Sequence, residues 1–166
     1  MDEQSVVNSG DKGKNRKTVI ILSVIIVATL VFIWGHSLMD QTESGEESGF
    51  ILKLIGPFFE IFAGKGNVTE LFIRKLAHFT EFFGLGAELL LFMHKVLKHS
   101  NAIKVINAWV FGTLCALIDE TIQIFSGRGP AIADVWLDSA GCMTGVMIML
   151  CIIFVFDRKK SRKKTA

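Results

Sequence analysis

Apolar positions along this chain are gathered into four long blocks, at about 18–39, 71–93, 103–125 and 132–156. Each is long enough for a hydrocarbon core, which takes roughly 20 mostly apolar residues. Residues 19–35 carry no charge at all. The run is rich in β-branched residues, but in lipid each backbone polar group must be satisfied within its own segment, so the spacing predicts a helix here as in the other blocks. The fold expected is all-α, a four-transmembrane-helix bundle over 18–156 flanked by an N-terminal arm, 1–17, and a basic tail, 157–166. Between the first two blocks lies DQTESGEESG, acidic and rich in Gly and Ser, which reads as a solvated, flexible stretch. After it Ile51, Leu54, Ile55, Phe58, Phe59 and Phe62 recur at helical spacing, interrupted by Gly56-Pro57. This segment is too short to span. It reads as a short, broken interfacial helix in the first outer loop, or as a flap packed over the bundle.

Composition narrows the class. At 166 residues, 51% hydrophobic with two prolines, the chain fits one bundle better than a multidomain enzyme. A net charge of +2 conceals strong segregation. Four Lys/Arg sit in the N-terminal arm, three between the second and third blocks (Lys95, Lys98, Lys104) and six after Asp157, thirteen of the eighteen on one side. Positive loops stay inside, so both termini are expected in the cytoplasm of a multi-pass cell-membrane protein. Because the basic runs flank apolar blocks, no nucleic-acid partner is indicated. Lys12, Lys14, Arg16 and Lys17 resemble the charged start of a signal peptide, but the apolar run is too long and no small-residue cleavage site follows closely, so an uncleaved signal-anchor is the reading. Trp34 and Trp136 near outer ends, and Trp109 near an inner end, fit interfacial anchors. Cys115, Cys142 and Cys151 are odd in number and lack a CxxC, arguing against disulfides or a zinc ribbon. Neither GxGxxG nor a Walker A pattern occurs. No cofactor is assigned.

Candidate chemistry lies inside the apolar blocks, where an ionisable residue costs roughly 2.5–3.5 kcal/mol at the centre of a helix on insertion scales. The second block carries Arg74, Lys75, His78, Glu81 and Glu88; the third Asp119, Glu120 and Gln123; the fourth Asp134 and Asp138. With alternating directions, all except Glu88 fall in the same outer layer, while Glu88 is placed to snorkel to the inner face. Arg74, His78 and Glu81 share one helix face, as do Asp119 and Gln123. Asp134, Asp138, Gly141 and Gly145 share another, so the acidic face of the fourth span coincides with a GxxxG packing face. The turn SGRGPAIA is short enough to hold Arg128 above Asp134 and Asp138. Arg74, Lys75 and Arg128 can instead neutralise the carboxylates as structural ion pairs, although a bundle built only for stability would use apolar residues. His36, after the first span, reads as an interfacial residue. Carboxylates with a histidine suit a divalent cation, but no HExxH or comparable spacing appears, so no metal is assigned.

RKLAHFTEFFGLG resembles the K-x-x-H-F-x-E-[YF]-x-x-L-G motif of the VanZ-like family. DETIQIFSGRGPAIADVWLDSAGCMTG resembles its second motif, and HSLMDQ is similar to a weaker Ser-containing stretch. Phe82 stands where tyrosine is common, and glycine placement around Gly84 and Gly86 differs slightly. The resemblance runs over about 24–156 and takes in Lys75, His78, Phe79, Glu81, Asp119, Glu120, Gln123, Arg128, Asp134, Asp138, Gly141 and Gly145. It implies a small bacterial multispanning protein from a family whose named member confers low-level teicoplanin resistance, with no established reaction. Two functions compete. One is a non-enzymatic envelope protein that binds an amphiphile, such as a lipid, a lipoglycopeptide or a cell-wall precursor, at the outer leaflet. The other is an intramembrane enzyme acting on a lipid headgroup, with His78 as acid or base beside Glu81 or Glu120. Ion transport would need charges through the full membrane depth.

Overall fold

The computed structural model describes residues 3–39, 41–64, 66–126 and 131–165, and these contain five helices and no strand. They are α1 (Glu3–Ser37), α2 (Gln41–Ala63), α3 (Glu70–Val96), α4 (Asn101–Phe125) and α5 (Ile132–Thr165). Four are long and apolar enough to cross a membrane, over Asn15–Ser37, Glu70–Val96, Asn101–Phe125 and Ile132–Lys159. The chain is an all-α, multi-pass membrane protein. α1 continues back through the N-terminal arm, and α5 runs on through the basic tail.

Helix ends follow local chemistry. Thr69 is the N-cap of α3, its hydroxyl accepting from Phe72 N at 3.2 Å, with Glu70 complementing the helix dipole in the first turn. The same helix ends at Leu97, whose N–H reaches Met93 O at 2.8 Å, with His94 and Lys95 in its last turn. At the end of α4, Ser126 Oγ donates to Ser37 O at 3.0 Å, tying that end to the end of α1.

Among the described residues α3 is the helix that touches all four others, most extensively α5. Its core side chains Phe82, Leu85, Leu89 and Leu90 meet Ile26 and Ile33 of α1, Ala108, Cys115 and Ala116 of α4, and Cys142 and Val146 of α5. Large apolar side chains such as Ile21, Val24, Leu114, Leu117, Ile148 and Ile152 point outward, as hydrocarbon allows. The α3–α5 contact is backbone against backbone. A Cβ on Gly145 would lie 1.9 Å from Phe83 O, and one on Gly141 2.5 Å from Phe79 O. The GxxxG face thus packs as the spacing predicts. α4 and α5 are also joined by polar contacts. Trp109 Nε1 donates to Ser139 Oγ at 2.9 Å, and Thr113 Oγ1 lies 2.8 Å from the same oxygen. Trp109 thus serves as an interhelical donor, a part that its position in the sequence does not show.

The first loop differs most from its sequence reading. Instead of a flexible acidic stretch and a short broken helix, α2 is one helix of 23 residues that includes the Gly/Ser-rich segment and passes through Pro57. Proline removes one i→i−4 bond and crowds the carbonyl four residues back, a local cost of about 3 kcal/mol that tertiary contacts can offset. Here Phe59 meets the Phe72 ring of α3 edge-on at 5.8 Å, Ser48 is buried, and Glu47 bonds to α1. Its other face leaves Phe50, Leu54, Phe58 and Ile61 exposed in one row. α2 thus packs on the bundle and presents an apolar face away from it.

Candidate functional site

Because α1 and α4 run opposite to α3 and α5, the C-terminal turns of the first pair meet the N-terminal turns of the second. This antiparallel arrangement gathers the polar residues of three spans at one end of the bundle. His78 (α3), Asp119 (α4) and Asp138 (α5) are all buried there, with one donor atom from each within 4.8 Å of the others. His78 Nδ1 lies 3.7 Å from Asp119 Oδ2 and 3.9 Å from Glu81 Oε2. Gln123 Nε2, one turn beyond Asp119, donates to Asp119 Oδ2 at 2.9 Å, as the i, i+4 spacing predicts. Asp138 is only 1% exposed, and neither of its oxygens has a hydrogen-bond partner among the described residues.

Other expected members take different parts. Glu120 Oε2 accepts from Ala131 N at 3.1 Å, just before α5 begins, which places a carboxylate at the positive end of that helix. Lys75 pairs with Asp134, and both side chains are partly exposed, so this ion pair forms the rim rather than the buried centre. Arg74 lines a surface cleft with Gly45, Ser48, Glu70 and Leu71. The expected position of Arg128 above Asp134 and Asp138 lies outside the described residues. Glu88 does not stand free to snorkel: Thr29 Oγ1 of α1 donates to its Oε1 at 3.1 Å.

The sequence reading missed His36. Its ring stacks on His78, with centroids 5.8 Å apart and planes 10° from parallel. Nδ1 lies 3.1 Å from Glu81 Oε1 and Nε2 3.0 Å from Glu47 Oε2, so His36 links the α3 carboxylate to α2. Ser37 beside it is fully buried. The available signal was HSLMDQ, one of the three stretches carrying the resemblance. The site thus draws on α1, α3, α4 and α5, with α2 attached through Glu47. It combines histidines and carboxylates able to accept, donate or bind a cation with a half-exposed lysine at the rim.

Helices of this number, length and order define a polytopic membrane bundle, with most of its buried ionisable groups gathered at one end. The chain belongs to the VanZ/LLP1 family, whose pattern matches residues 19–155 and so takes in every helix that contributes to that site. No curated protein and no solved structure is similar enough to match.

Proposed function

We propose that this protein acts in a bacterial cell envelope, binding an amphiphile from the outer leaflet in its polar site: a membrane lipid, a lipoglycopeptide or a lipid-linked cell-wall precursor. The observation that carries this reading is the concentration of His36, His78, Glu81, Asp119, Gln123 and Asp138 at one end of the bundle. Buried ionisable groups are costly in a membrane, and the gathering of most of them at one end, with Glu88 and Lys104 apart, favours a site entered from one side over a path across. The lysine at the rim suits an anionic headgroup, and the apolar row on α2 suits the adjoining chains. The family's link to teicoplanin resistance points the same way. Expression in a susceptible Gram-positive host is expected to raise tolerance to lipoglycopeptides more than to vancomycin, because a membrane-anchored drug meets an outer-leaflet protein more often. Unchanged tolerance, or equal protection against drugs with cytoplasmic targets, would overturn this reading.

The orientation is part of the same proposal. The thirteen-to-five division of Lys and Arg supports cytoplasmic termini and a site at the outer face. In intact cells, cysteines introduced at Ser44 or Ser126 are expected to react with an impermeant thiol reagent, and those at Ser100 or Ser161 are not. Labelling of the second pair in sealed cells would invert the topology.

A second reading is an intramembrane enzyme acting on a lipid headgroup. It is favoured by the placement of His78 between two carboxylates, Glu81 and Asp119. Purified protein incubated with bacterial lipid extract separates the two: a headgroup is turned over, or a lipid is retained unchanged.

A further inference from the structure

We propose that His78, Asp119 and Asp138 form a binding site for one divalent transition-metal ion, of the kind represented by Mn2+ or Zn2+. This inference is independent of what amphiphile, if any, enters the site.

Three observations carry it. The three side chains come from three different helices, are buried, and bring one donor atom each within 4.8 Å of the others. Donors sharing a cation at about 2.1 Å stand roughly 3 Å apart, so small side-chain rotations complete the geometry. His78 Nδ1 and Asp119 Oδ2, at 3.7 Å, are already close to it. The second observation is independent of this clustering. Asp138 is 1% exposed, yet both of its oxygens lack a hydrogen-bond partner among the described residues. A carboxyl group buried without hydrogen bonds or a counter-charge must either hold a proton or find a cation, and a bound metal ion supplies the missing partner. Thirdly, Asp119 is oriented from outside the trio. Gln123 Nε2 donates to it at 2.9 Å, as outer hydrogen bonds commonly fix metal-binding carboxylates.

The donor set indicates the class of ion. One imidazole with two carboxylates suits Mn2+ or Zn2+, whereas Ca2+ takes six to eight oxygen ligands. Glu81 Oε2 lies 3.9 Å from His78 Nδ1 and has no hydrogen-bond partner among the described residues, a further oxygen on the same side. Three protein ligands leave coordination positions open to water or to an oxygen of another molecule.

The test uses the full-length protein purified in detergent, stripped with EDTA and equilibrated with Mn2+ or Zn2+ alone. After removal of free metal, the wild type should retain about one ion per chain by elemental analysis and melt at a higher temperature than the stripped protein. Asp138→Asn and Asp119→Asn should fall to background retention. Gln123→Leu, which removes only the orienting bond, should bind about tenfold more weakly. Glu88→Gln, on the same helix as His78 but bonded to Thr29, should bind as the wild type does. Stability guards against a variant that merely misfolds. Without metal, Asp138→Asn should melt close to the wild type, because the amide matches the carboxyl group in size; with metal, the wild type should melt clearly above the variant. A wild type that retains no metal, or acid-to-amide variants that retain as much as it does, would overturn the proposal.

Discussion

Membranes of cells producing Gly145→Leu are expected to contain little folded protein, and Gly145→Ala should already melt well below the wild type. The added Cβ would stand 1.9 Å from Phe83 O, and what it meets is backbone, which cannot rotate aside as a side chain can. Helices α3 and α5 would have to separate along their most extensive contact, and overpacking that cannot relax costs about 1–3 kcal/mol or more. In lipid that contact depends chiefly on close van der Waals approach, because no hydrophobic effect drives helix against helix. Gly84→Ala is the matched control: a Cβ there meets nothing within 4 Å, so the protein should accumulate and melt as the wild type. Thermal melting in detergent and membrane abundance, measured together for the three variants, check this. Equal behaviour of Gly84→Ala and Gly145→Ala would show that the close approach does not limit stability.

The second large effect is on function without loss of the protein. Glu81→Gln, Glu120→Gln and Asp138→Asn are each expected to remove the envelope phenotype while the chain still inserts and accumulates. Each exchange keeps the volume of the side chain and removes its charge. In Glu120→Gln the new amide oxygen can still accept from Ala131 N, so α5 should begin where it does now. A charge-assisted hydrogen bond in a buried site is worth about 1.5–3 kcal/mol, roughly ten- to hundredfold in affinity, sufficient to empty a modest site. Were the carboxylates only structural ion pairs, phenotype would fall in proportion to abundance. Immunoblots of membranes beside drug tolerance for each variant distinguish the cases, and full activity at normal abundance would remove these residues from the site.

The spans were legible because nothing but a helix satisfies twenty backbone groups in hydrocarbon, and the meeting of His78, Asp119 and Asp138 follows once alternate spans run in opposite directions. The Asp119–Gln123 bond and the Gly141/Gly145 packing face were legible for a simpler reason: both rest on spacing within one helix. What escaped depends on partners distant in sequence. His36 sits where an interfacial location accounts for a histidine, and only its contacts with Glu47, Glu81 and His78 give it another part. The helical state of the Gly/Ser-rich start of α2 rests on Glu47 and Ser48 being held by the bundle, against local propensity. Glu88 looked free to reach the inner face because Thr29, 59 positions earlier, cannot be paired with it by periodicity.

The central position of α3 bears on how the protein is made. α3 is the least apolar of the four spanning helices, burdened by Arg74, Lys75, His78, Glu81 and Glu88, and its principal neighbour α5 is synthesised last. During translation α3 must therefore enter the bilayer with its charged flank shielded only by α1, α2 and then α4. Asp138 reaches that flank only when α5 docks. A nascent chain stalled before Ile132 would hold His78 and Asp119 in lipid without the residue that completes their cluster, so quality control that senses exposed intramembrane charge could tell a finished molecule from an unfinished one.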